Sequence, residues 1–145
     1  MTNSTACSDL KVGICWRSLI SIGLTGNFSS EIEEWQQILK APGVCFFDLQ
    51  YDDSDEERLS AEKLFGVKIH KIKEIDMMRD FDNLAALYLS MDLIITTVTT
   101  VAMLANAVGA KVWEVRPKSS AFCMSCLPWF PKRKIYNRDW RDSWE

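Results

Sequence analysis

The sequence predicts a doubly wound α/β domain, with a mainly parallel sheet and helices on both faces, from three observations. The stretch Arg79 to Val115 alternates helix, strand, helix and strand with almost no slack between them. Within it, Leu93-Ile94-Ile95-Thr96 is an apolar, β-branched run without period-two alternation, the pattern of a strand buried on both sides. Two such strands joined by a crossover helix form a right-handed βαβ unit, which belongs to a parallel sheet. In such a sheet ligands sit beyond the carboxyl ends of the strands, which directs attention to Thr96 through Thr100.

The first strand is expected at Leu10 to Trp16, LKVGICW, with Arg17 and Ser18 at its carboxyl end. Gly13 inside it marks close approach of another backbone or a ligand. Ser18 to Asn27 has no clear period and reads as a loop. Ser30 with Glu33 makes a capping box, and Ile32, Trp35, Ile38 and Leu39 supply the apolar stripe of a helix that stops at Ala41-Pro42-Gly43. Val44 to Leu49 is the second strand. Helix Ser54 to Phe65 follows, ended by Gly66, and Val67 to Ile69 is a third, shorter strand.

In the central stretch a helix carrying Leu84, Ala85, Leu87 and Tyr88 leads to strand Leu93 to Thr96. Thr99 or Thr100 can cap the next helix, Val101 to Val108, whose stop signal is Gly109, and Lys111 to Val115 is the following strand. Beyond Arg116-Pro117 the periodicity disappears. Phe122, Trp129, Phe130, Tyr136, Trp140 and Trp144 interleave there with Lys132, Arg133, Lys134, Arg138 and Arg141. The division is thus a flexible tail over 1–9, an α/β domain over 10–117, and an aromatic and basic tail over 118–145 that packs back on the domain.

The chain has 145 residues, 48% hydrophobic and 26% charged, which suits one domain with a real core. A net charge of −3 argues against wholesale attraction to nucleic acid or membranes. No run approaches a membrane span, the polar start MTNSTACSDL lacks a signal peptide's apolar core, and a cytoplasmic setting follows as the default. The aromatic and basic tail has the composition of a single-strand stacking platform. Asp139, Asp142 and Glu145 dilute its charge, however, and large aromatics also serve to cover apolar surface, so no nucleic-acid partner is expected.

The acidic run Asp52, Asp53, Asp55, Glu56 and Glu57 precedes and enters a helix, where carboxylates complement the helix dipole. A metal site would need three or more of them to converge, and none is expected. Cys15 and Cys45 fall in strands and behave as small apolar side chains, so the five cysteines are expected as reduced thiols without a disulfide framework. Cys123-Met124-Ser125-Cys126 has the spacing of a metal knuckle or redox pair. It lies far from the one histidine, His70, and from a strand-to-helix turn, so it reads as incidental.

Four segments occur in the order and spacing of one group of enzymes: KVGICWRS at Lys11 to Ser18, FFDLQ at Phe46 to Gln50, DFDNLAALYLSMDLIITTVTTVAMLANAVGAKVW at Asp80 to Trp113, and LPWFPKRKIYNR at Leu127 to Arg138. From Lys11 to about Arg141 the chain resembles the C-terminal, donor-binding half of glycosyltransferases related to ADP-heptose:lipopolysaccharide heptosyltransferases, especially those attached to tetratricopeptide repeats. The resemblance implies a Rossmann-like half of a GT-B architecture, with a nucleotide-diphosphate sugar as donor substrate and no metal cofactor. It also implies an acceptor domain on a separate polypeptide, or lost, and glycosyl transfer only when a second domain completes the site.

The residues agree with a nucleotide site there. Backbone N–H groups of the turn Val98 to Val101 open a helix after a buried strand, and hydroxyls of Thr97, Thr99 and Thr100 can add bonds to phosphate oxygens. Arg17 and Ser18 at the end of the first strand and Gln50 at the end of the second complete the candidate nucleotide-sugar-binding set, with Arg17 supplying charge and Gln50 reaching base or ribose. Each has a structural alternative: the threonines as caps, Arg17 paired with the acidic run, Gln50 as a turn residue. No catalytic residue is assigned. Where the resembling group carries an Asp-Thr pair, a histidine and a small glycine, this chain has Val98-Thr99, Met103 and Asn106. That departure leaves a second expectation open, a degenerate scaffold acting as a protein-interaction or homodimerisation module.

Overall fold

In the computed structural model of the chain, which describes residues 9–18, 30–117, 130 and 133–138, six parallel strands form one sheet. They are β1 (Leu10–Cys15), β2 (Val44–Asp48), β3 (Ile69–Lys71), β4 (Leu93–Thr96), β5 (Val112–Pro117) and β6 (Lys134–Arg138). Their order across the sheet is β3-β2-β1-β4-β5-β6, and every neighbouring pair runs parallel. The first three strands step one way from β1 and the last three step the other. The order therefore reverses between β1 and β4, the place where such sheets open a crevice.

Among the described residues four helices cover the two faces: α1 (Gln36–Leu39, preceded by a 3-10 turn over Ile32–Trp35), α2 (Asp55–Phe65), α3 (Phe81–Leu89) and α4 (Thr100–Ala107). On one face Ile32, Trp35, Leu39 and Ala61 pack on Val12, Ile14, Trp16, Phe46, Ile69 and Ile95. On the other Leu84, Leu87, Tyr88, Val101 and Ala105 pack on Cys15, Leu49, Ile94 and Val112. Ile94 and Ile95 thus point to opposite cores, which explains why β4 shows no alternation in the sequence.

Several local details differ from the sequence reading. The capping box falls one residue later, with the Glu34 carboxylate accepting from the Glu31 N–H at 3.0 Å. Ser30 is instead a tie between elements: its hydroxyl donates to the Trp16 carbonyl and accepts from Trp35 Nε1, both at 2.7 Å. Strand β3 starts at Ile69, which is the first residue after the Gly66 turn to reach β2, opposite Phe46. Gly13 meets a side chain, since a Cβ there would lie 2.4 Å from Leu49 Cδ1. Cys45 is disulfide-bonded, against the expectation of reduced thiols, and its partner lies outside the described residues. It is half-buried, whereas the free thiol Cys15 is fully buried.

Strand β6 went unseen in the sequence because it is an edge strand whose Lys134, Tyr136 and Asn137 are exposed, so no apolar pattern announces it. Buried charges fasten it: Glu114 on β5 pairs with Arg133 at 3.3 Å and with Arg116 at 3.7 Å. The Ser18 to Asn27 loop beyond Ser18, the Cys123–Cys126 pair, and the tail aromatics Phe122, Trp129, Trp140 and Trp144 lie outside the described residues.

Candidate functional site

The six candidate residues fall in two groups on either side of the β1/β4 reversal. Cys15, the last residue of β1, joins them: its carbonyl accepts the Thr97 N–H at 3.0 Å, and its Sγ lies 3.8 Å from Thr99 Oγ1. Burial pushes this thiol up to about 12, an effect the Thr99 and Thr96 hydroxyls only partly offset.

On the β1–β2 side the polar groups bond to one another. Arg17 donates through Nε to both oxygens of Glu57, at 2.9 and 3.0 Å, and through Nη1 to Asp52, and Nη2 reaches the Asp53 carbonyl at 3.1 Å. Glu57 also accepts from Trp16 Nε1 at 2.6 Å. The hydrogen bond that Arg17 donates to Glu57, and after it that to Asp52, holds the guanidinium well above its ordinary range of ionisation. Gln50 is fully buried; its Oε1 accepts from the Arg17 N–H and its Nε2 donates to Asp52, both at 3.1 Å. Ser18 Oγ lies 3.3 Å from the Tyr51 hydroxyl. Behind them Asp48 accepts from Ser54 at 2.6 Å and from Lys71 at 3.2 Å. Within the acidic run Asp52 and Glu57 thus pair with Arg17 and Asp55 with Arg58 at 3.0 Å, whereas the Asp53 carboxylate accepts the Asp55 N–H at 3.2 Å. Among the described residues no group of three or more His, Cys, Asp or Glu side chains converges as a metal site.

The β4–α4 side is arranged differently. Thr99 is the N-cap residue of α4, with extended backbone, but its side chain makes no capping hydrogen bond. Thr96 Oγ1 bonds the Thr97 carbonyl at 2.9 Å and lies 3.1 Å from Thr99 Oγ1. With the Thr96 proton given to that carbonyl, the Thr99 hydroxyl donates to Thr96 and turns inward. The first N–H groups of α4 therefore get no help from the residue placed to cap them. Thr97 is fully buried, and its Oγ1 has no hydrogen-bond partner among the described residues. Thr100, exposed, opens the helix.

Thr100 also lines a cavity of about 130 Å3 between α3, α4 and the β3–α3 connection, walled by Tyr51, Met77, Phe81, Tyr88, Val101 and Leu104. These residues were not among the sequence candidates, because they come from four separate segments. The only local signal was aromatic and methionine side chains flanking a helix start. Met103, one turn into α4, is 41% exposed, and Val98 is half-buried, so the edge carries apolar side chains where the resembling enzymes place a carboxylate and an imidazole. Asn106 is buried and donates back to the Ala102 carbonyl at 2.7 Å.

No family model matches the chain. Over 137 residues it is 33% identical to the protein FlbA of Caulobacter vibrioides, a match that takes in 93% of this chain and 23% of FlbA. The chain therefore spans about a quarter of the curated relative it matches. Among solved structures it is similar to the E. coli heptosyltransferase WaaC with ADP-2-deoxy-2-fluoro heptose, with a TM-score of 0.64 at 10% identity, over 94% of this chain and 39% of that one. WaaC with ADP gives 0.58 at 11% identity, over 89% and 37%. At such low identity the likeness concerns the fold: a Rossmann-like parallel sheet matching one half of a glycosyltransferase.

Proposed function

We propose that this chain is a nucleotide or nucleotide-sugar binding domain of a cytoplasmic glycosyl-transfer system, holding the donor while a second domain or polypeptide holds the acceptor. The observation that carries the reading is the juxtaposition at Thr100. An α-helix whose N-cap side chain is turned away begins at the sheet's reversal point, and its first residue forms the rim of an apolar, aromatic-lined cavity. A diphosphate accepts from the uncapped N–H groups of α4 and from the Thr97 hydroxyl, which is unpartnered among the described residues, and a flat base fills the cavity between Tyr51, Phe81 and Leu104. Both solved neighbours carry ADP or an ADP-sugar analogue, which supports that ligand class. With Val98 and Met103 beside the site, none of the described β4–α4 side chains is suited to proton transfer, so the domain alone is weakly active or inactive.

The test is a thermal-shift titration with ADP, GDP, UDP and their sugar conjugates on the wild type and on Thr100→Pro. Proline is tolerated at the first helical position, and Thr99 already has the extended backbone that proline requires before it. The variant should therefore fold while lacking one phosphate-facing N–H. A saturable shift with one nucleotide class, weakened in Thr100→Pro, supports the reading. No shift at millimolar concentration in the wild type removes it.

A second reading, an interaction or homodimerisation module, rests on a different feature. Ile38, Ile95, Trp113, Val115 and Tyr136 line an apolar groove of about 270 Å3 over the β4–β6 side of the sheet. Concentration-dependent mass in light scattering, lost in Val115→Glu, is the outcome that favours it.

A further inference from the structure

The charge on the β1–β2 edge bears on which ligand the proposed site prefers. Among the described residues Arg17 is the one cation bonded to Asp52 and Glu57, and it faces both of them, so the bonded group carries a net charge of about −1. Its side chain is 19% exposed and already directs Nε, Nη1 and Nη2 at oxygen acceptors. The group is fixed beside the phosphate-binding turn, because β1 ends two residues before Arg17 at the Cys15 carbonyl that holds the Thr97 N–H. An approaching phosphate therefore meets repulsion from the surplus carboxylate, while the guanidinium is engaged elsewhere.

We infer that Asp52 and Glu57, by holding Arg17, set the charge preference of this edge and make it select a sugar-linked nucleoside diphosphate over the free diphosphate. The inference rests on the nucleotide reading above. Linking a sugar to the terminal phosphoryl group, which is otherwise held only by its anhydride bond, adds an ester bond and removes one of its two negative charges near neutral pH. The free product of glycosyl transfer is then the more anionic species. A net-negative edge favours its departure over that of the intact donor.

The experiment is isothermal titration of wild type and of Asp52→Asn/Glu57→Gln with two matched pairs, ADP against ADP-glucose and UDP against UDP-glucose, at low and at high salt. Each amide substitution keeps one acceptor oxygen, enough for Asp52 to hold Arg17 and for Glu57 to hold Trp16 and Arg17 Nε through the position of Oε2, and together they change the group's charge by two units. For one extra ligand charge roughly 10 Å away in a partly aqueous setting, the double variant should shift the ratio of free to sugar-linked affinity about fivefold toward the free diphosphate. At about 1 M salt, where screening is nearly complete at that distance, the shift should vanish. Asp52→Asn alone, which leaves the Trp16–Glu57 bond intact, should give about half the effect on a logarithmic scale and serves if the double variant fails to fold. Equal changes for both members of each pair, or a ratio shift that persists at high salt, overturn this inference while leaving nucleotide binding standing. Absence of binding by the wild type to every probe overturns both.

Discussion

The β1–β2 edge and the β4–α4 edge lie side by side at the same end of one sheet, yet they treat their polar groups in opposite ways. At the first, Arg17, Gln50, Asp52 and Glu57 satisfy one another, and Gln50 has no exposed surface at all. At the second, the Thr99 hydroxyl faces inward instead of capping its helix, and the Thr97 hydroxyl is buried without a partner among the described residues. Buried polar groups are nearly always paired, so an unpaired one is a cost that a purely structural edge would shed. The contrast separates an edge whose named polar groups pair with one another from one that, among the described residues, leaves a buried hydroxyl unpaired.

Breaking the saturated edge should have the largest effect. Arg17→Ala leaves Asp52 and Glu57 facing each other, partly buried, with their shared donor gone. Loss of a charge-assisted network of this kind costs about 2–3 kcal/mol, readable as a lower urea midpoint at unchanged slope. The β1 strand serves both edges, and Gly13→Ala should rank next. Its new methyl would press on Leu49, which is fully buried and has little room to retreat, for a cost of about 1–3 kcal/mol in the same assay.

Between the edges, Cys15 offers a pH test. Its thiol ionises near 9.0 in an unfolded chain and at about 12 in the folded protein. From pH 9 to 12 the unfolded state therefore holds fewer protons than the folded one. Stability, complete below pH 9, should fall with rising pH by up to about 1.4 kcal/mol per unit. Burial also raises the Tyr88 hydroxyl, which adds its own slope at the upper end, so the difference between wild type and Cys15→Ala isolates the thiol.

How much of this was legible in the sequence follows from where each signal resides. Strand β4 is read to the residue, because a strand buried on both faces must be apolar throughout, and α2 is bounded by Gly66, whose positive φ of 67° suits glycine. Arg17, Ser18, Gln50 and the threonines follow from topology alone, since residues after parallel strands gather at one end of the sheet. Their bonding does not follow. Arg17 and Glu57 are forty residues apart, and nothing local tells whether a carboxylate caps a helix or seizes an arginine. The cavity at Thr100 was hidden for the same reason, its walls coming from Tyr51, Met77, Phe81 and Leu104. Strand β6 was hidden because edge strands are written in polar residues and receive their pairing from the neighbour.

The smallest effect on stability is also the sharpest test of the contrast. Thr97→Val keeps the shape of the side chain and removes the one hydroxyl that has no partner among the described residues on this edge. A change that normally costs stability should here be neutral or stabilising by up to about 1 kcal/mol, because a desolvated donor disappears and no bond is lost. Nucleotide affinity should fall in the same variant if that donor serves a phosphate oxygen, by roughly five- to tenfold for one hydrogen bond to a charged acceptor. Opposite signs in melting temperature and affinity would mark Thr97 as a group kept for a ligand. A loss of stability with unchanged binding would instead place Thr97 among the satisfied residues, and the two edges would no longer differ in kind.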